Sequence, residues 1–461
     1  MEWTAPARQV RRSCTPPDAG NGNEAMNRRL QMAALAAAGF LAVGAALAGV
    51  STDACRTLQL ASCPEPVDTV LPPAHDMLTW DVDARVVGFR NTWQMYRGDA
   101  FHAGGTPSPL PPATGPMPAL HYPVGDQTYG LEDYLTRQRI DGLLLIKDGR
   151  IAYEYYGHGN TERTLWTSRS VAKSIVSVLI GIAIQEGRIN SVEDPITRYL
   201  PQLRHTAWDG VSLHQLMTHT SGTQWNENYA DPASDFARLT YCEARPDPYP
   251  CVLKLVKGLA RRPGVQPGEV WSYNTGGAWL VGRVLEQATG MTIARYLETR
   301  LWRREPMERD GVWQALVPGR VDMGGHGFNA TLRDWGRFAQ FVERGGRLAD
   351  GTRILPEDWL RRSTTWTKAR GSVTPEAPQG QYGYQWWHAG IRPERGDPDG
   401  AREVIENSFW AEGIYGQALA INPAEHVVMV QWSTWPEAYP GKDRYEEQVL
   451  FFAAAVHALH R

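Results

Sequence analysis

A long apolar segment follows a serine and a lysine that stand three positions apart. The apolar run from Val171 to Glu186 predicts a helix that Gly187 ends, with Ser170 at its start. Residues i and i+3 of a helix share one face, so the Ser170 hydroxyl and the Lys173 amine are expected within reach of each other. A lysine takes the proton of a serine only when burial or neighbouring charge keeps its amine neutral. Backbone N–H groups at the helix start would face the serine, as an oxyanion requires. The segment therefore predicts a serine hydrolase that forms an acyl-enzyme.

The Ser-x-x-Lys pattern is short enough to arise by chance. The chain has 17 serines and six lysines in 461 residues. Chance then gives roughly 0.2 matches, a real risk for so short a motif. Ser170 to Lys173 is the only match, and 41 of the 47 basic residues are arginines, which cannot lose a proton near neutral pH. A titratable amine at this place favours a chemical role. The other interpretation, a serine cap followed by a surface lysine, stays open on this motif alone.

Length and composition indicate an ordinary globular chain. The 461 residues are 42% hydrophobic and carry a formal net charge of -3, so one large core or two lobes can form. So small a charge gives no reason to expect nucleic acid as a partner. The 18 tryptophans and 18 tyrosines are expected mostly in the core, and they also suggest an aromatic-lined cleft.

The first sixty residues, 1–60, are predicted to be a leader rather than part of the fold. Two arginines precede the uncharged segment Met32–Val50, in which Ala46-Leu47-Ala48 resembles a signal-peptidase site. This layout predicts a signal peptide or a single membrane anchor within residues 26–50. Residues 1–25 are then a misassigned start or a disordered tail. We expect an exported protein, either periplasmic or tethered to the membrane and facing the periplasm or the exterior.

The cysteines agree with export to an oxidising compartment. Two pairs lie close in sequence, and the simplest pattern joins Cys55 to Cys63 and Cys242 to Cys251. Four unpaired thiols are the alternative. No group of cysteines and histidines has the spacing of zinc ligands, so no metal site is expected.

Strand signals near both ends of the chain enclose a long helical region. Residues 61–125 are proline-rich and are predicted to form an extended arm over the body. In residues 126–461, a hairpin around Asp148-Gly149, a strand at Tyr382–Trp387 and a late hairpin surround a mostly helical lobe at about 194–375. This order predicts an α+β fold, in which one antiparallel sheet from distant segments is flanked by helices and carries the inserted lobe.

Three further motifs can carry chemistry. Tyr273 lies in the loop Trp271–Gly277, and a lysine ammonium beside it would lower the pKa of its phenol and let the pair share a proton. The segment Gly413–Gln417 begins the late hairpin, where a glycine-flanked strand can offer its N–H groups to a substrate carbonyl. His219 and Ser221 are expected to end a helix through turn hydrogen bonds rather than to act as catalysts.

Taken together, these motifs resemble those of a known enzyme family. Ser-x-x-Lys, the Tyr273 loop, Thr218-His219-Thr220-Ser221-Gly222 and the late glycine-rich strand resemble the penicillin-recognising serine hydrolases. Over about residues 120–435 the set is most similar to class C β-lactamases with their esterase and amidase relatives. Trp225–Pro232 and Gly413–Gln417 resemble the 6-aminohexanoate-dimer hydrolase branch. The resemblance implies a β-lactamase/transpeptidase-like α/β sandwich, a small-molecule ester or amide as substrate, and no metal or organic cofactor.

The resemblance also implies a role for each matching residue. Ser170 becomes the nucleophile, and Lys173 and Tyr273 become the general base and acid that move its proton. The backbone N–H groups of Ser170 and Gln417 form the oxyanion hole. Tyr229 matches a tyrosine near the leaving nitrogen of amide substrates, and a pocket wall is the other interpretation. The remaining substrate-binding positions are Thr275, Ile414, Tyr415 and Gly416.

Two departures from the family pattern bear on the substrate. Thr275 stands where lactamases have asparagine, so that side-chain amide contact is missing. Ile414-Tyr415-Gly416 stands where lactamases and transpeptidases have Lys-Thr-Gly, and losing the lysine removes a carboxylate contact of roughly 1.5–3 kcal/mol. We therefore expect an uncharged ester or linear amide as substrate. Two alternatives stay open: a weak β-lactamase or D-alanyl-D-alanine carboxypeptidase, and a non-catalytic envelope receptor or scaffold of the same fold.

Overall fold

The computed structural model describes residues 53–66, 68–371, 380–389, 400–439 and 441–460. The segment predicted as a signal peptide or anchor, residues 26–50, lies outside these ranges. Within them, no helix combines the length and the apolar character that crossing a bilayer requires.

The α-helices and strands are numbered in chain order. The α-helices are α1 Val82–Met95, α2 Leu131–Arg137, α3 Val171–Gln185, α4 Leu213–Met217, α5 Asp235–Glu243, α6 Pro248–Lys257, α7 Thr275–Thr289, α8 Ile293–Leu297, α9 Leu332–Glu343, α10 Trp359–Ser363, α11 Ala401–Glu406 and α12 Lys442–His460. The strands are β1 Gly98–Phe101, β2 His121–Val124, β3 Gln127–Gly130, β4 Ile140–Lys147, β5 Arg150–Tyr156, β6 Trp166–Thr167, β7 Gly311–Val317, β8 Val321–Asp322, β9 Phe328–Ala330, β10 Gly380–Tyr382, β11 Trp387–Ala389, β12 Phe409–Gly413, β13 Gln417–Asn422 and β14 Val427–Ser433.

Seven strands form one antiparallel sheet in the order β10-β11-β12-β13-β14-β4-β5. The early strand β4 lies beside the late strand β14, with Leu145 opposite Met429. The β4–β5 hairpin turns at Asp148 and Gly149, whose φ angles of 49° and 75° are those that a tight, right-twisted hairpin needs. The predicted antiparallel sheet of distant segments, and with it the α+β fold class, is confirmed.

Helices cover both faces of this sheet, because successive side chains of a strand point to opposite faces. In β4, Leu144 and Ile146 pack in the core that contains α3. Leu143 and Leu145 point the other way and pack with residues of α12. The result is the helix–sheet–helix sandwich that the family resemblance implies.

The helix that follows Ser170 is buried along most of its length. Every residue from Val171 to Ala183 is buried, and the helix packs against α7. It ends at Gln185, and Gly187 turns the chain away with a φ of 70°. The helix predicted over 171–186 therefore agrees with the observed one to within a residue. Because Lys173 lies in the first turn of so buried a helix, its amine enters the core.

The region predicted as a helical lobe also contributes strands. Helices α4 to α10 lie in it, but β7, β8 and β9 join β1 and β6 in a second sheet, along the path β1-β7-β9-β6. Strand β7 is buried along nearly all its length, so its sequence lacks the alternation that marks a half-buried strand. For that reason the prediction missed these strands. Strand β6 ends shortly before Ser170, and its pairing with β9 positions the start of α3.

The segment predicted as an extended arm, residues 61–125, is extended only in part. At the edge of the main sheet, Ile151 N–H donates to the Pro111 carbonyl at 2.8 Å. Residues 82–95 instead form α1, which Asp81 caps and whose Phe89 is buried in the main core. The prediction is wrong for this part, because the prolines that dominate the composition flank the helix and do not interrupt it.

Both predicted cysteine pairs are joined in the structure. The Cα atoms are 5.7 Å apart in Cys55–Cys63 and 5.3 Å apart in Cys242–Cys251. The second disulfide ties α5 to α6 within the lobe.

Candidate active site

Ser170 lies at the N-terminus of α3, directly after a turn with unusual backbone geometry. Arg169 has a φ of 46°, in the left-handed region, and Ser168 N–H donates to the Phe328 carbonyl at 2.8 Å. Arg169 is buried, with its guanidinium 4.5 Å from the centre of the Phe89 ring. Packing on both sides of the turn holds this conformation, which places Ser170 at the N-terminal end of the helix, where the N–H groups of Val171 and Ala172 donate to the Ser168 and Arg169 carbonyls at 3.2 Å.

The Lys173 amine contacts the Ser170 hydroxyl directly. Lys173 Nζ donates to Ser170 Oγ and to the Gly325 carbonyl, each at 2.8 Å. The residue is 1% exposed, and burial lowers the pKa of the amine to about 7, against the opposing effects of Glu227 and Glu243. At neutral pH a large fraction of the amine is therefore uncharged and able to accept a proton.

The Tyr273 ring lies over the same pair. Its centre is 4.9 Å from Lys173 Nζ, and Tyr273 and Ser170 line the same cavity. Burial raises the pKa of the phenol, Glu227 raises it further, and the Ser170 hydroxyl only partly offsets this. The expectation that Lys173 lowers this pKa is wrong, because a buried phenol favours its neutral form and a lysine with a lowered pKa offers little positive charge. At neutral pH Tyr273 is a proton donor.

Neighbouring rings hold Tyr273 in place. It stacks on Trp387 with ring centres 5.5 Å apart, and His219 packs against it at 4.5 Å. Burial places the pKa of His219 well below its usual value, and its Nδ1 accepts from Asn274 N–H at 3.3 Å. A neutral imidazole bonded to the backbone supports the loop, as the turn role expected for His219 implies.

A carboxyl that was not among the predicted site residues lines the same cavity as Ser170. Glu227 accepts from Thr275 N–H at 3.0 Å, from Thr275 Oγ1 at 2.6 Å and from the Tyr229 hydroxyl at 3.1 Å, and Trp225 Nε1 also donates to it. Burial raises its pKa, and Lys173 opposes that shift. Thr275, which replaces the asparagine of the family pattern, therefore binds Glu227. The spacing Trp225-x-Glu227-x-Tyr229 was the signal available in the sequence.

A cavity of about 560 Å³ opens beside Ser170, large enough for a small molecule. Four of the predicted site residues line it: Ser170, Tyr229, Tyr273 and Ile414. Other lining residues were not predicted, among them Trp225, Glu227, Arg262, Trp271, Trp387 and Glu412. A larger cavity of about 730 Å³ near Asp99 contains none of the predicted site residues.

Near the end of β12, the residues that line the cavity come earlier in the chain than the sequence analysis predicted. Gly413 and Ile414 line the cavity, whereas Tyr415, Gly416 and Gln417 are not among its lining residues. Gln417 pairs with Gly413 to close the hairpin, and φ angles of 64° at Tyr415 and 89° at Gly416 turn the chain back. Tyr415, Gly416 and Gln417 therefore lie in the turn that follows the cavity wall, and their predicted roles in substrate and oxyanion binding stay predictions. The sequence motif coincides with the turn, and the strand before it faces the cavity.

The side chains of this turn pack in the protein core instead of facing the cavity. The Arg85 guanidinium lies 3.8 Å from the centre of the Tyr415 ring, and both residues are buried. Gln417 Oε1 accepts from Trp166 Nε1 at 2.7 Å. These contacts attach the hairpin to α1 and to the strand that precedes Ser170.

Two side chains of opposite charge also line the cavity. Arg262 Nη2 donates to Ser272 Oγ at 2.7 Å. The side chain of Glu412, the residue before Gly413 in β12, is half-buried and has no hydrogen-bond partner among the described residues, and burial raises its pKa to about 8. In the part of the chain that the structure describes, His, Cys, Asp and Glu side chains form no group of three or more that could hold a metal ion.

Known proteins resemble this chain over most of its length. Residues 131–451 match the family described as Beta-lactamase. The 6-aminohexanoate-dimer hydrolase of Paenarthrobacter ureafaciens is 30% identical over 75% of this chain and 86% of its own length. A β-lactamase of Escherichia coli (strain K12) is 25% identical over 45% of this chain and 57% of its own.

Solved structures share the fold. A Bacillus anthracis protein with a provisional 6-aminohexanoate-dimer hydrolase assignment superposes with a TM-score of 0.65 at 20% identity, over 80% of this chain and 94% of its own. EstCE1, a hydrolase with promiscuous acyltransferase activity, gives a TM-score of 0.51 at 17% identity, over 71% of this chain and 96% of its own. At these identities the likeness concerns the fold alone. Since the family match spans well over half of the sequence, the chain belongs to the Beta-lactamase family of serine hydrolases.

Proposed function

We propose that this protein hydrolyses an ester or a linear amide of a small molecule through an acyl-enzyme on Ser170. The observation that carries the proposal is the 2.8 Å contact between Lys173 Nζ and Ser170 Oγ, where burial lowers the pKa of the amine to about 7. The competing interpretation, a serine cap followed by a surface lysine, does not fit a lysine that is 1% exposed. A solvated lysine would stay charged and could not act as a base.

Acylation uses three groups around the carbonyl carbon. Neutral Lys173 accepts the proton of Ser170 while Oγ attacks, which forms a tetrahedral oxyanion. We assign the oxyanion to the N–H groups of Ser170 and Ile414, since both residues line the cavity and Gln417 does not. Tyr273 then donates its proton to the leaving oxygen or nitrogen and takes a replacement from Lys173.

Deacylation repeats the transfer with water as the nucleophile. A water molecule loses a proton to the Lys173–Tyr273 pair as its oxygen attacks the acyl carbonyl. Ser170 recovers a proton when the acid leaves. In acylation and again in deacylation, Lys173 and Tyr273 give up every proton that they accept. The enzyme therefore ends the cycle in its starting protonation state.

Two observations support an ester or linear amide as the substrate. The relative with 30% identity is named for hydrolysis of the 6-aminohexanoate dimer. On the strand that faces the cavity, the structure has Glu412 and no lysine to bind a substrate carboxylate. Without that lysine, the strand offers no charge-assisted contact to the carboxylate of a β-lactam or a D-alanyl-D-alanine peptide. Tyr229, at the cavity wall and bonded to Glu227, is assigned to the side of the leaving group.

Labelling and turnover together test the nucleophile. The purified protein should hydrolyse p-nitrophenyl butyrate steadily and gain the mass of one fluorophosphonate adduct. Ser170→Ala should lose both properties, and the exposed Ser62→Ala should keep both. Labelling without turnover would support the scaffold alternative. Faster turnover of a chromogenic cephalosporin than of any ester would support the β-lactamase alternative.

The disulfides support a location outside the cytoplasm. Two bonded cysteine pairs are typical of proteins that fold in an oxidising compartment. Expression of the full sequence in a bacterium should therefore place the protein in the periplasm or at the membrane, with thiols that alkylate only after reduction. Recovery in the cytoplasm with freely alkylated thiols would contradict export.

A further inference from the structure

A glycine-rich segment ahead of β9 supplies one of the two partners of the Lys173 amine. The segment is Gly324, Gly325, His326 and Gly327, and His326 is the only one of the four that carries a side chain. The Gly325 carbonyl accepts from Lys173 Nζ at 2.8 Å. Glycines leave a backbone free to adopt many conformations, so local geometry does not fix this carbonyl. Contacts with the rest of the protein must therefore hold it in place.

The side chain of His326 binds a carboxylate inside the protein. Its Nε2 donates to Glu243 Oε1 at 3.0 Å, and Gln314 Nε2 donates to Glu243 Oε2 at 3.1 Å. Both members of the pair are buried, with 5% of the histidine and 7% of the glutamate exposed. Glu243 follows Cys242, whose disulfide with Cys251 ties α5 to α6. The carboxylate is therefore a fixed partner for the histidine.

Other contacts hold the two ends and one face of the segment. The Met323 carbonyl accepts from Trp313 Nε1 at 2.8 Å, and the Gly327 carbonyl accepts from Gln314 N–H at 2.8 Å. A Cβ on Gly324 would lie 2.9 Å from a backbone carbonyl oxygen of α7, so the segment lies directly on that helix. Between these points, the histidine side chain attaches the segment to α5.

We propose that the buried pair of Glu243 and His326 positions the general base of the reaction. The pair holds the Gly325 carbonyl, and this carbonyl in turn directs the Lys173 amine at Ser170. Neither member of the pair is among the residues that line the reaction cavity, so both act through the lysine and not on the substrate. The inference rests on the hydrolysis proposed at Ser170 and adds two positioning residues to it.

Glu243 also acts on the base through its charge. Burial lowers the pKa of Lys173 to about 7, and the carboxylates of Glu227 and then of Glu243 oppose that shift. The hydrogen bond and the charge can be separated by substitution. Glu243→Gln keeps an oxygen that accepts from His326 but removes the charge, whereas His326→Leu removes the hydrogen bond and leaves the charge.

Two substitutions at His326 test the hydrogen bond. His326→Leu should lower kcat for p-nitrophenyl butyrate by roughly 10- to 100-fold, because a displaced base slows acylation and deacylation alike. KM should change little, and the rate of fluorophosphonate labelling should fall by a similar factor. His326→Gln, whose amide N–H can reach Glu243 in place of Nε2, should keep a kcat close to that of the wild type.

A second histidine–carboxylate pair gives the matched control. His158 Nδ1 lies 2.8 Å from Oδ1 of the buried Asp141, and neither residue lines the reaction cavity. His158→Leu should therefore keep the wild-type kcat. Glu243→Gln should keep the kcat reached at high pH and move the midpoint of the pH profile of kcat/KM to lower pH, because the Lys173 ammonium loses a favourable charge.

Several outcomes would overturn the positioning role. They are a wild-type kcat in folded His326→Leu, equal losses in His326→Leu and His326→Gln, and an equal loss in His158→Leu. If His326→Leu does not fold, His326→Asn takes its place, since its amide is one methylene too short to reach Glu243 and the same loss is expected. Absence of ester hydrolysis and of fluorophosphonate labelling in the wild type would instead overturn the proposed function.

Discussion

Lys173 Nζ donates to the carbonyl oxygen of Gly325 at 2.8 Å, although 152 positions separate the two residues in the chain. Gly325 lies against the start of α7, where a Cβ on it would be 2.8 Å from Thr275 Cγ2. The amine is thus directed toward Ser170 by a distant segment as well as by its own helix. The position of the Lys173 amine therefore depends on the packing of α3, α7 and the chain before β9.

Replacing Lys173 should remove the general base. Lys173→Ala is expected to lower kcat for p-nitrophenyl butyrate by roughly 10²- to 10⁴-fold. Lys173→Arg should not restore the rate, because a guanidinium cannot lose its proton near neutral pH. Lys257→Ala, which changes an exposed lysine, is the control and should behave as the wild type. Wild-type activity in Lys173→Arg would contradict the role of the lysine as a base.

Activity should rise as the pH passes through about 7. Burial lowers the pKa of Lys173 to about 7, so below that pH the amine holds a proton and above it the amine can accept one. For a neutral ester, kcat/KM should increase with a single ionisation and then level off, since the raised pKa of Tyr273 keeps its phenol protonated. Kinetics from pH 5 to pH 9 at constant ionic strength give this profile. A midpoint near the usual lysine value would contradict the burial argument.

The charge of Glu227 should affect the midpoint of the pH–rate profile. Its carboxylate raises the pKa of Lys173 against the effect of burial. Glu227→Gln removes the charge and should move the midpoint of the pH–rate profile to lower pH, because the lysine ammonium loses a favourable neighbour. Glu357→Gln, on the surface, should leave the midpoint where it is. An unshifted midpoint in Glu227→Gln would show that the charge does not act on the base.

Tyr273→Phe should reduce amide cleavage more than cleavage of activated esters. In the proposed mechanism the phenol protonates the leaving group, whereas p-nitrophenolate departs without that proton. We expect a loss of roughly 10²- to 10³-fold for an anilide and less than about 10-fold for the p-nitrophenyl ester of the same acid. Tyr241→Phe, at a side chain that is 60% exposed, is the control. Equal losses for both substrates would mean that Tyr273 acts through packing and not through its proton.

Gly181→Ala should destabilise the protein even though alanine is the better helix former. A Cβ at Gly181 would lie 2.7 Å from Leu355 Cδ2 and from Trp359 Cε2. Overpacking costs about 1–3 kcal/mol, more than the gain of about 1 kcal/mol from alanine in a helix. Gly115→Ala, whose Cβ would enter open space, is the matched control in denaturant unfolding. An unchanged or higher midpoint for Gly181→Ala would contradict this packing argument.

Sequence patterns succeeded where structure depends on near neighbours in the chain. The predicted α3 agrees with Val171–Gln185, and the hairpin at Asp148-Gly149 lies where the turn chemistry indicated. The patterns failed where burial or distant packing decides. Strand β7 is buried on both sides and shows no alternation, and α1 is stabilised by packing of Phe89 in the core.

By itself, the sequence determined that Ser170 and Lys173 share one face of a helix, because an i, i+3 spacing has the same consequence in every α-helix. It also determined the family, through motifs that occur together. Only the tertiary structure decided the protonation states of these two side chains, because burial among distant segments lowers the pKa of the Lys173 amine and raises the pKa of the Tyr273 phenol. It likewise decided that the cavity is lined by Glu412 and Ile414 rather than by Gln417. The pKa of a group depends on its surroundings in the folded protein, and the lining of a cavity depends on how distant strands and helices pack. Neither can be predicted from the spacing of residues along the chain.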